Sequence, residues 1–218
     1  MPSSNPSFNA ITPTDQGVVI TYSPVKTNVN GATTEGATSY DVQWSTSSSF
    51  TSPVVHNFKA IGKSADVWML SNGTSGVSGS SFSNGTPYYF EIRARNSVGP
   101  AASWVVYGGG TPTAVTPGAS TSGIQVQGTV TIPNGITPSG PLYAGFYNQN
   151  TNTVYGMRIA APTAGANNYT VYLPSDSNPD YINFAVLDQN NDGLIDAGDV
   201  SNTGDNQSNG IALSLIHI

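Results

Sequence analysis

Twelve residues toward the end of the sequence, Asp188-Gln189-Asn190-Asn191-Asp192-Gly193-Leu194-Ile195-Asp196-Ala197-Gly198-Asp199, have the types and spacing to hold a metal ion. Oxygen-bearing side chains fall at positions 1, 3, 5, 9 and 12 of this run, with a glycine at 6 and an aliphatic residue at 8. A hard cation such as Ca2+ takes about 6–8 oxygen ligands at about 2.3–2.6 Å. A loop wrapped around it therefore needs acids at alternate positions, a glycine for the sharp turn and a backbone carbonyl at position 7. The spacing assigns the side chains of Asp188, Asn190 and Asp192, the Leu194 carbonyl, Asp196 directly or through water, and Asp199 as the closing ligand. Ile195 is expected to point into the core of its own sandwich. The competing reading is a hydrated turn, because Asp, Asn and Gly favour turns without any metal. Five oxygen side chains in register favour the cation.

The charge distribution agrees with that choice. Residues 1–119 carry five basic and five acidic side chains, a net charge of zero, whereas residues 120–218 carry one basic and seven acidic, a net of −6. Most of the excess lies in the loop, and a bound cation relieves such self-repulsion. An acidic chain without basic stripes is not built for nucleic acid. The absence of cysteine excludes disulfides, Fe–S clusters and thiolate zinc sites.

Catalysis is not expected. The only histidines are His56, in a strand-like run, and His217. No Gly-x-Ser-x-Gly elbow accompanies a possible Ser–His–Asp set. Glycosidase chemistry needs two opposed carboxylates, and the only glutamates are Glu35 and Glu91. The aspartates of the loop are spaced for a cation, not for acid–base work.

The elements that must position the loop read as strands. Charged residues make up only 8% of the chain and Gly, Ser, Thr, Asn and Pro fill the difference, which suits short strands and turns, not helices. No stretch sustains a 3.6-residue apolar period, whereas apolar runs and turn signals recur every 8–15 residues, as in a sandwich. Strands are expected at Val18–Tyr22, Tyr40–Trp44, Val54–Phe58 and Asp66–Leu70, with a long mobile loop from Ser71 to Gly85. The segment Tyr88-Tyr89-Phe90-Glu91-Ile92-Arg93-Ala94-Arg95-Asn96-Ser97-Val98-Gly99 resembles the penultimate strand and turn of a fibronectin type III domain, over about residues 6–113. The resemblance implies Tyr88, Phe90, Ile92 and Ala94 in the core, Glu91, Arg93 and Arg95 outside, a tyrosine corner at Tyr88 and a closing strand at Trp104–Tyr107. Tyr22 stands near the position where the family carries a core Trp. The Arg-Gly-Asp tripeptide of adhesive members is missing.

Gly108 to Ser122 reads as a linker with flexible glycines and stiffer prolines, dividing a domain at 1–113 from one at 123–212 across residues 114–122. Beyond it, Ile124, Val126, Val130 and Ile132 alternate with polar or Gly positions, followed by the turn Pro133-Asn134-Gly135. Strands are expected at Leu142–Tyr147, Val154–Ile159, Tyr169–Leu173 and Tyr181–Leu187, the last running into Asp188. Gln127-Gly128-Thr129-Val130 and the last two strands resemble prealbumin-like sandwiches, including carboxypeptidase-regulatory-like domains. The acidic loop resembles those of EF-hands, dockerins and calcium-binding adhesin repeats. It carries Asp199 where the EF-hand has Glu, and it lacks the helix and second loop of a dockerin. The fold class expected is thus all-β, two sandwiches in tandem, with Ca2+ held in a loop of the second.

Such a chain reads as a non-catalytic spacer of a larger secreted or cell-surface protein, a composition common among bacterial secreted proteins. It would act as a monomer beside a protein or polysaccharide partner. A carbohydrate-binding role is the alternative, if Tyr143, Tyr147, Tyr155, Tyr172 and Tyr181 line one face. No apolar run reaches the roughly 20 residues of a membrane helix, and Met1–Pro6 does not open a signal peptide, so the chain is read as a fragment. Its last six residues, 213–218, match a translated sequencing adapter, which would end the natural sequence near Ala212 and leave His217 without functional weight.

Overall fold

Alternating apolar and polar residues bury one face of a strand, whereas an unbroken apolar run suits a strand covered on both faces. Both patterns occur, and together they define the architecture. The computed structural model describes residues 4–29, 32–60, 66–76, 82–175, 180–202 and 212–216, and every regular element among them is a strand in antiparallel pairing.

In the N-terminal part, β1 (Ser7–Thr14), β2 (Gly17–Ser23) and β7 (Asp66–Ser71) form a sheet in the order β1-β2-β7. Facing it are β5 (Ser39–Ser45), β6 (Val54–Lys59), β8 (Tyr89–Asn96) and β10 (Val105–Val106), in the order β10-β8-β5-β6, with β9 (Gly99–Pro100) beside β8. A hairpin of β3 (Lys26–Val29) and β4 (Ala32–Glu35) stands apart. Ile11, Ile20, Trp68 and Leu70 from the first sheet meet Val42, Trp44, Phe90 and Ile92 from the second in one core. Tyr22 stacks on Trp68 at 3.7 Å between ring centroids, and Phe58 covers the other side at 4.7 Å. The apolar body therefore comes from three rings on three strands.

Phe90, Ile92, Ala94 and Tyr88 are buried as expected, and the Tyr88 hydroxyl accepts the Ser83 N–H at 3.0 Å, a bond back to the upstream backbone. Val105–Val106 closes against β8. Three expectations change. The Ser/Gly-rich tract is not a loose loop throughout: Phe82 is fully buried against Trp44, because an aromatic ring gains more from the core than its glycine-rich flanks lose in entropy. Residues 77–81 of that tract lie outside the described residues. Glu91 takes the outer face as expected but is buried there, hydrogen-bonded by Gln43 across the strand pair. Part of the expected linker is held to the sandwich, since Val115 is buried and exchanges both backbone hydrogen bonds with Tyr88, while Gly118 N–H donates to Thr14 O.

On the outer face of the second sheet, Asp41 is 2% exposed and accepts from Arg93 Nε at 2.9 Å, Arg95 Nη2 at 3.0 Å and Asn57 Nδ2 at 2.8 Å. Burial pushes this carboxyl up, but the bonds from Arg95, Asn57 and Arg93 outweigh it and hold it below the ordinary carboxylate range. A depressed folded-state value gives stability that is complete above the unfolded value near 3.9 and lost as pH falls through the folded one. Asp41→Asn should cost about 1–2 kcal/mol at neutral pH, discounted because both arginines remain partly in water. In urea unfolding, the gap between variant and parent should close below about pH 4.

The C-terminal part repeats the plan. β11 (Ile124–Ile132), β14 (Gly165–Leu173) and β17 (Ala212–Ile216) form one sheet in the order β14-β11-β17. β12 (Leu142–Asn148), β13 (Thr153–Ile159), β15 (Tyr181–Leu187) and β16 (Val200–Ser201) form another in the order β13-β12-β15-β16. Val130, Ile132, Tyr169 and Val171 meet Leu142, Ala144, Ala185 and Leu187 between them. Ile124 lies outside this core, 56% exposed at the start of its strand. The turn at Pro133 closes with the Ile136 N–H on the Pro133 carbonyl.

The two sandwiches are not separate. Val19 and Met69, on the outer face of the first sheet, pack against Tyr143, Val154 and Val186, on the outer face of the β12-containing sheet. Four sheets are thus stacked face to face, and the two inner ones are covered on both sides. That explains why Val18–Tyr22, apart from Thr21, and Leu142–Tyr147 do not alternate with polar residues: β2 and β12 bury nearly every residue. Polar bonds flank the apolar contact, with Thr21 Oγ1 donating to Asn152 O at 2.7 Å and Arg158 Nη2 to Asn72 O at 3.3 Å. The hydroxyls of Tyr143 and Ser71 lie 3.0 Å apart.

Candidate metal centre

Leaving β15, the chain meets two constraints that fix where the acidic loop goes. On its own side, Asp188 N–H donates to Pro141 O at 3.0 Å, and a Cβ at Gly140 would lie 1.8 Å from the Asp188 carbonyl. Only glycine permits that approach. On the other side, Gly193 has φ +81° and its carbonyl accepts the Met69 N–H at 2.7 Å. Asn191 Nδ2 donates to Gly73 O at 2.6 Å, and the Asn191 carbonyl accepts the Ser75 N–H. The loop is therefore clamped between the two sandwiches, beside the end of β7.

Within it, the side chains turn inward to satisfy loop N–H groups. Asp188 accepts from Asp192 N–H at 3.2 Å and Gly193 N–H at 3.0 Å. Asn190 Oδ1 accepts from Asp192 N–H at 3.1 Å, and its Nδ2 donates to Asp192 Oδ2 at 2.9 Å. Asp192 Oδ1 takes the Leu194 N–H at 2.8 Å. Asp199 closes the turn from the far end, accepting Gln189 N–H at 2.9 Å and Asp196 N–H at 3.1 Å. The Asn190 and Asp192 side chains are thus linked directly, Asp188 and Asp199 bond through backbone N–H groups, and Asp196 is exposed. Among the described residues no group of three or more His, Cys, Asp or Glu side chains is gathered as a ready cage.

The electrostatics are strained. Asp188 is 0% exposed. Burial, opposed by the Gly193 N–H but reinforced by the charges of Asp199 and Asp192, pushes its carboxyl up to about 7. Asp199 is raised as well, by burial first, with Asp196 and Asp192 adding to it against the N–H groups of Asp196 and Gln189. The ion pairs among the described residues are both at Asp41, far in sequence from this loop. One buried carboxylate that feels the charges of Asp199 and Asp192, with no basic side chain bonded to it, fits a hard cation, which would reverse that penalty. The donor set is all oxygen, as Ca2+ requires.

Ile195 does not point into the core of its own sandwich as expected, and the place of the Leu194 side chain was not foreseen. Leu194 is 5% exposed and belongs to the N-terminal core, while Ile195 is half-buried against the cluster between the sandwiches. The reason is the clamp: with Gly193 held on Met69, the next side chain can only turn toward Phe58 and Trp68. Met69, Gly73 and Tyr143 were missed as neighbours of the loop. The non-alternating runs of β2 and β12 are the signal that could have found the covered faces.

Nor do the tyrosines form one face. Tyr143 is buried between the sandwiches with Tyr147 against the same cluster, Tyr155 and Tyr181 meet edge-on at 6.1 Å beside the C-terminal core, and Tyr172 shares a surface cleft with Tyr155 only. His56 is buried edge-on to Phe58 at 4.3 Å, and burial depresses its pKa, so it is a core histidine.

No protein-family model, curated protein or solved structure matches the chain.

Proposed function

We propose that the chain is a non-catalytic extracellular spacer whose two sandwiches are fastened by one Ca2+ bound in the loop 188–199. The observation that carries this reading is Asp188, fully buried within the field of Asp199 and Asp192, with no basic side chain bonded to it among the described residues. Asp188, Asn190, Asp192, the Leu194 carbonyl and Asp199 are the proposed ligands, with Asp196 direct or through water. Two further points support a passive role: the buried face-to-face contact suits a rigid connector, and Tyr143, Tyr155 and Tyr181 pack on the cores instead of forming one exposed row. The fibronectin type III and prealbumin resemblances are consistent with two stacked sandwiches.

The test is thermal unfolding of the whole chain in calcium and in excess chelator. A ligand that binds only the folded state stabilises by about 2.7 kcal/mol at a hundred times its Kd, which for a chain of this size raises Tm by about 5–10 °C. Asp192→Asn should abolish the calcium shift yet remain at least as stable as the parent in chelator, since it removes one repelling charge. An unchanged midpoint at millimolar calcium would sink the metal assignment.

A further inference from the structure

The two facing sheets touch through Val19, Met69, Tyr143, Val154 and Val186, then part. Where they part, they leave a partly open cavity of about 680 Å³. Its N-terminal wall is Asn9, Val19, Thr21, Val67 and Met69; its C-terminal wall includes Tyr147, Val154, Ile182, Phe184 and Val186, with Ile195 from the loop. That volume lies in the range of about 300–1,000 Å³ typical of small-molecule sites.

We propose that this cavity is a binding site for one uncharged small molecule with an apolar body and a hydrogen-bond acceptor. Three observations specify the class. Among the described residues the lining contains no Asp, Glu, Lys, Arg or His, so an ion would lose its hydration with no opposite charge to replace it. Tyr147 stays neutral, since burial raises its pKa. The floor is aliphatic and aromatic, and water held there has few partners, so an apolar body displaces it favourably.

The third observation concerns the polar edge. Thr21 and the Tyr147 hydroxyl are already committed, the first to Asn152 O and the second to Asn152 Oδ1 at 2.5 Å. Asn202 is committed too, its side chain bonded to the backbone of β15 at Ala185 and Asn183. Asn9 and Asn152 accept through their side-chain oxygens, and neither amide nitrogen donates to a protein acceptor among the described residues. What the rim offers is therefore spare N–H donors, which call for an acceptor on the ligand.

Both sandwiches line the site, five residues from the N-terminal one and nine from the C-terminal one, so a ligand would bridge them. No single sandwich contains it.

The probe is 6-propionyl-2-(dimethylamino)naphthalene, an uncharged naphthalene with one ketone acceptor whose emission shifts to the blue out of water. Titrated with the full chain, it should bind saturably at one equivalent with blue-shifted emission. Val67→Phe and Ile182→Trp, which fill the cavity from opposite walls, should each weaken binding about tenfold or more without lowering Tm. Asn9→Ala should weaken it severalfold while leaving the blue shift. Absence of saturable binding, or affinity unmoved by both filling variants, would overturn the site. Equal affinity for anionic 1-anilinonaphthalene-8-sulfonate would overturn the uncharged class.

Discussion

Leu194→Ala should destabilise the N-terminal sandwich by about 2–5 kcal/mol, although residue 194 lies some 80 positions beyond the last residue of that core, Val115. The Leu194 side chain is 5% exposed and packs with the cluster containing Phe58, Trp68 and Leu70. Truncation removes buried methyl groups and leaves a cavity that the surrounding rings fill poorly, since stacked Phe58, Trp68 and Tyr22 are stiff. The backbone at 194 is unaffected, so the Met69–Gly193 bond and the carboxylate turns should survive. The check is amide exchange read strand by strand. Protection should fall in β2, β5 and β7 before it falls in β11 and β14. Loss confined to the C-terminal strands would mean that Leu194 does not bear on the N-terminal core.

Val186→Asp should cost about 3–5 kcal/mol, the penalty of an uncompensated buried charge, and should change the form of unfolding as well as its midpoint. Val186 is 1% exposed between the sandwiches, beside Val19, Met69, Tyr143 and Val154. Across its sheet it lies level with Tyr143 and, one strand further, Arg158. The guanidinium of Arg158 is already engaged, its Nη2 donating to Asn72 O at 3.3 Å, so a new carboxylate at 186 would have to draw it from that partner to be neutralised. The carboxylate would therefore force the faces apart. Calorimetry of the parent should show one cooperative transition, and the variant two, because each sandwich keeps its own core when the contact between them is lost. A single transition in the variant, with the parent's ratio of calorimetric to van't Hoff enthalpy, would show that the shared face does not couple the sandwiches.

These expectations rest on features that differ in how openly the sequence displayed them. Tyr88, Phe90, Ile92 and Ala94 were legible because a half-exposed strand must alternate, and the structure buries all four. Tyr181–Leu187 was legible to the residue, since its apolar run ends abruptly at Asp188. Asp41, Gln43 and Glu91 were legible as polar but not as buried. Alternation tells which face a side chain takes, not whether neighbouring arginines and amides will cover that face. Phe82 was hidden by its Ser and Gly neighbours, whose composition reads as a loop even when one aromatic among them is an anchor. In the acidic loop, the positions of the carboxylates followed from spacing. The destination of Leu194 did not, because it depends on a face of β7 that is more than 100 residues distant in the chain. Non-alternation in β2 and β12 carried that information. It looks the same as an ordinary hydrophobic strand unless one asks what covers the second face.

The stacking of four sheets also settles how the chain would carry a pull. β1 is an edge strand of its sheet and also lies against β13 of the other sandwich. Tension applied to the chain at Ser7 must peel β1 from β2 and drag it across β13 together. The N-terminal sandwich cannot yield at that strand and leave its neighbour untouched. Beads on a string lengthen in separate steps as each bead opens. Here the first give loosens the seam, so the two sandwiches resist as one link.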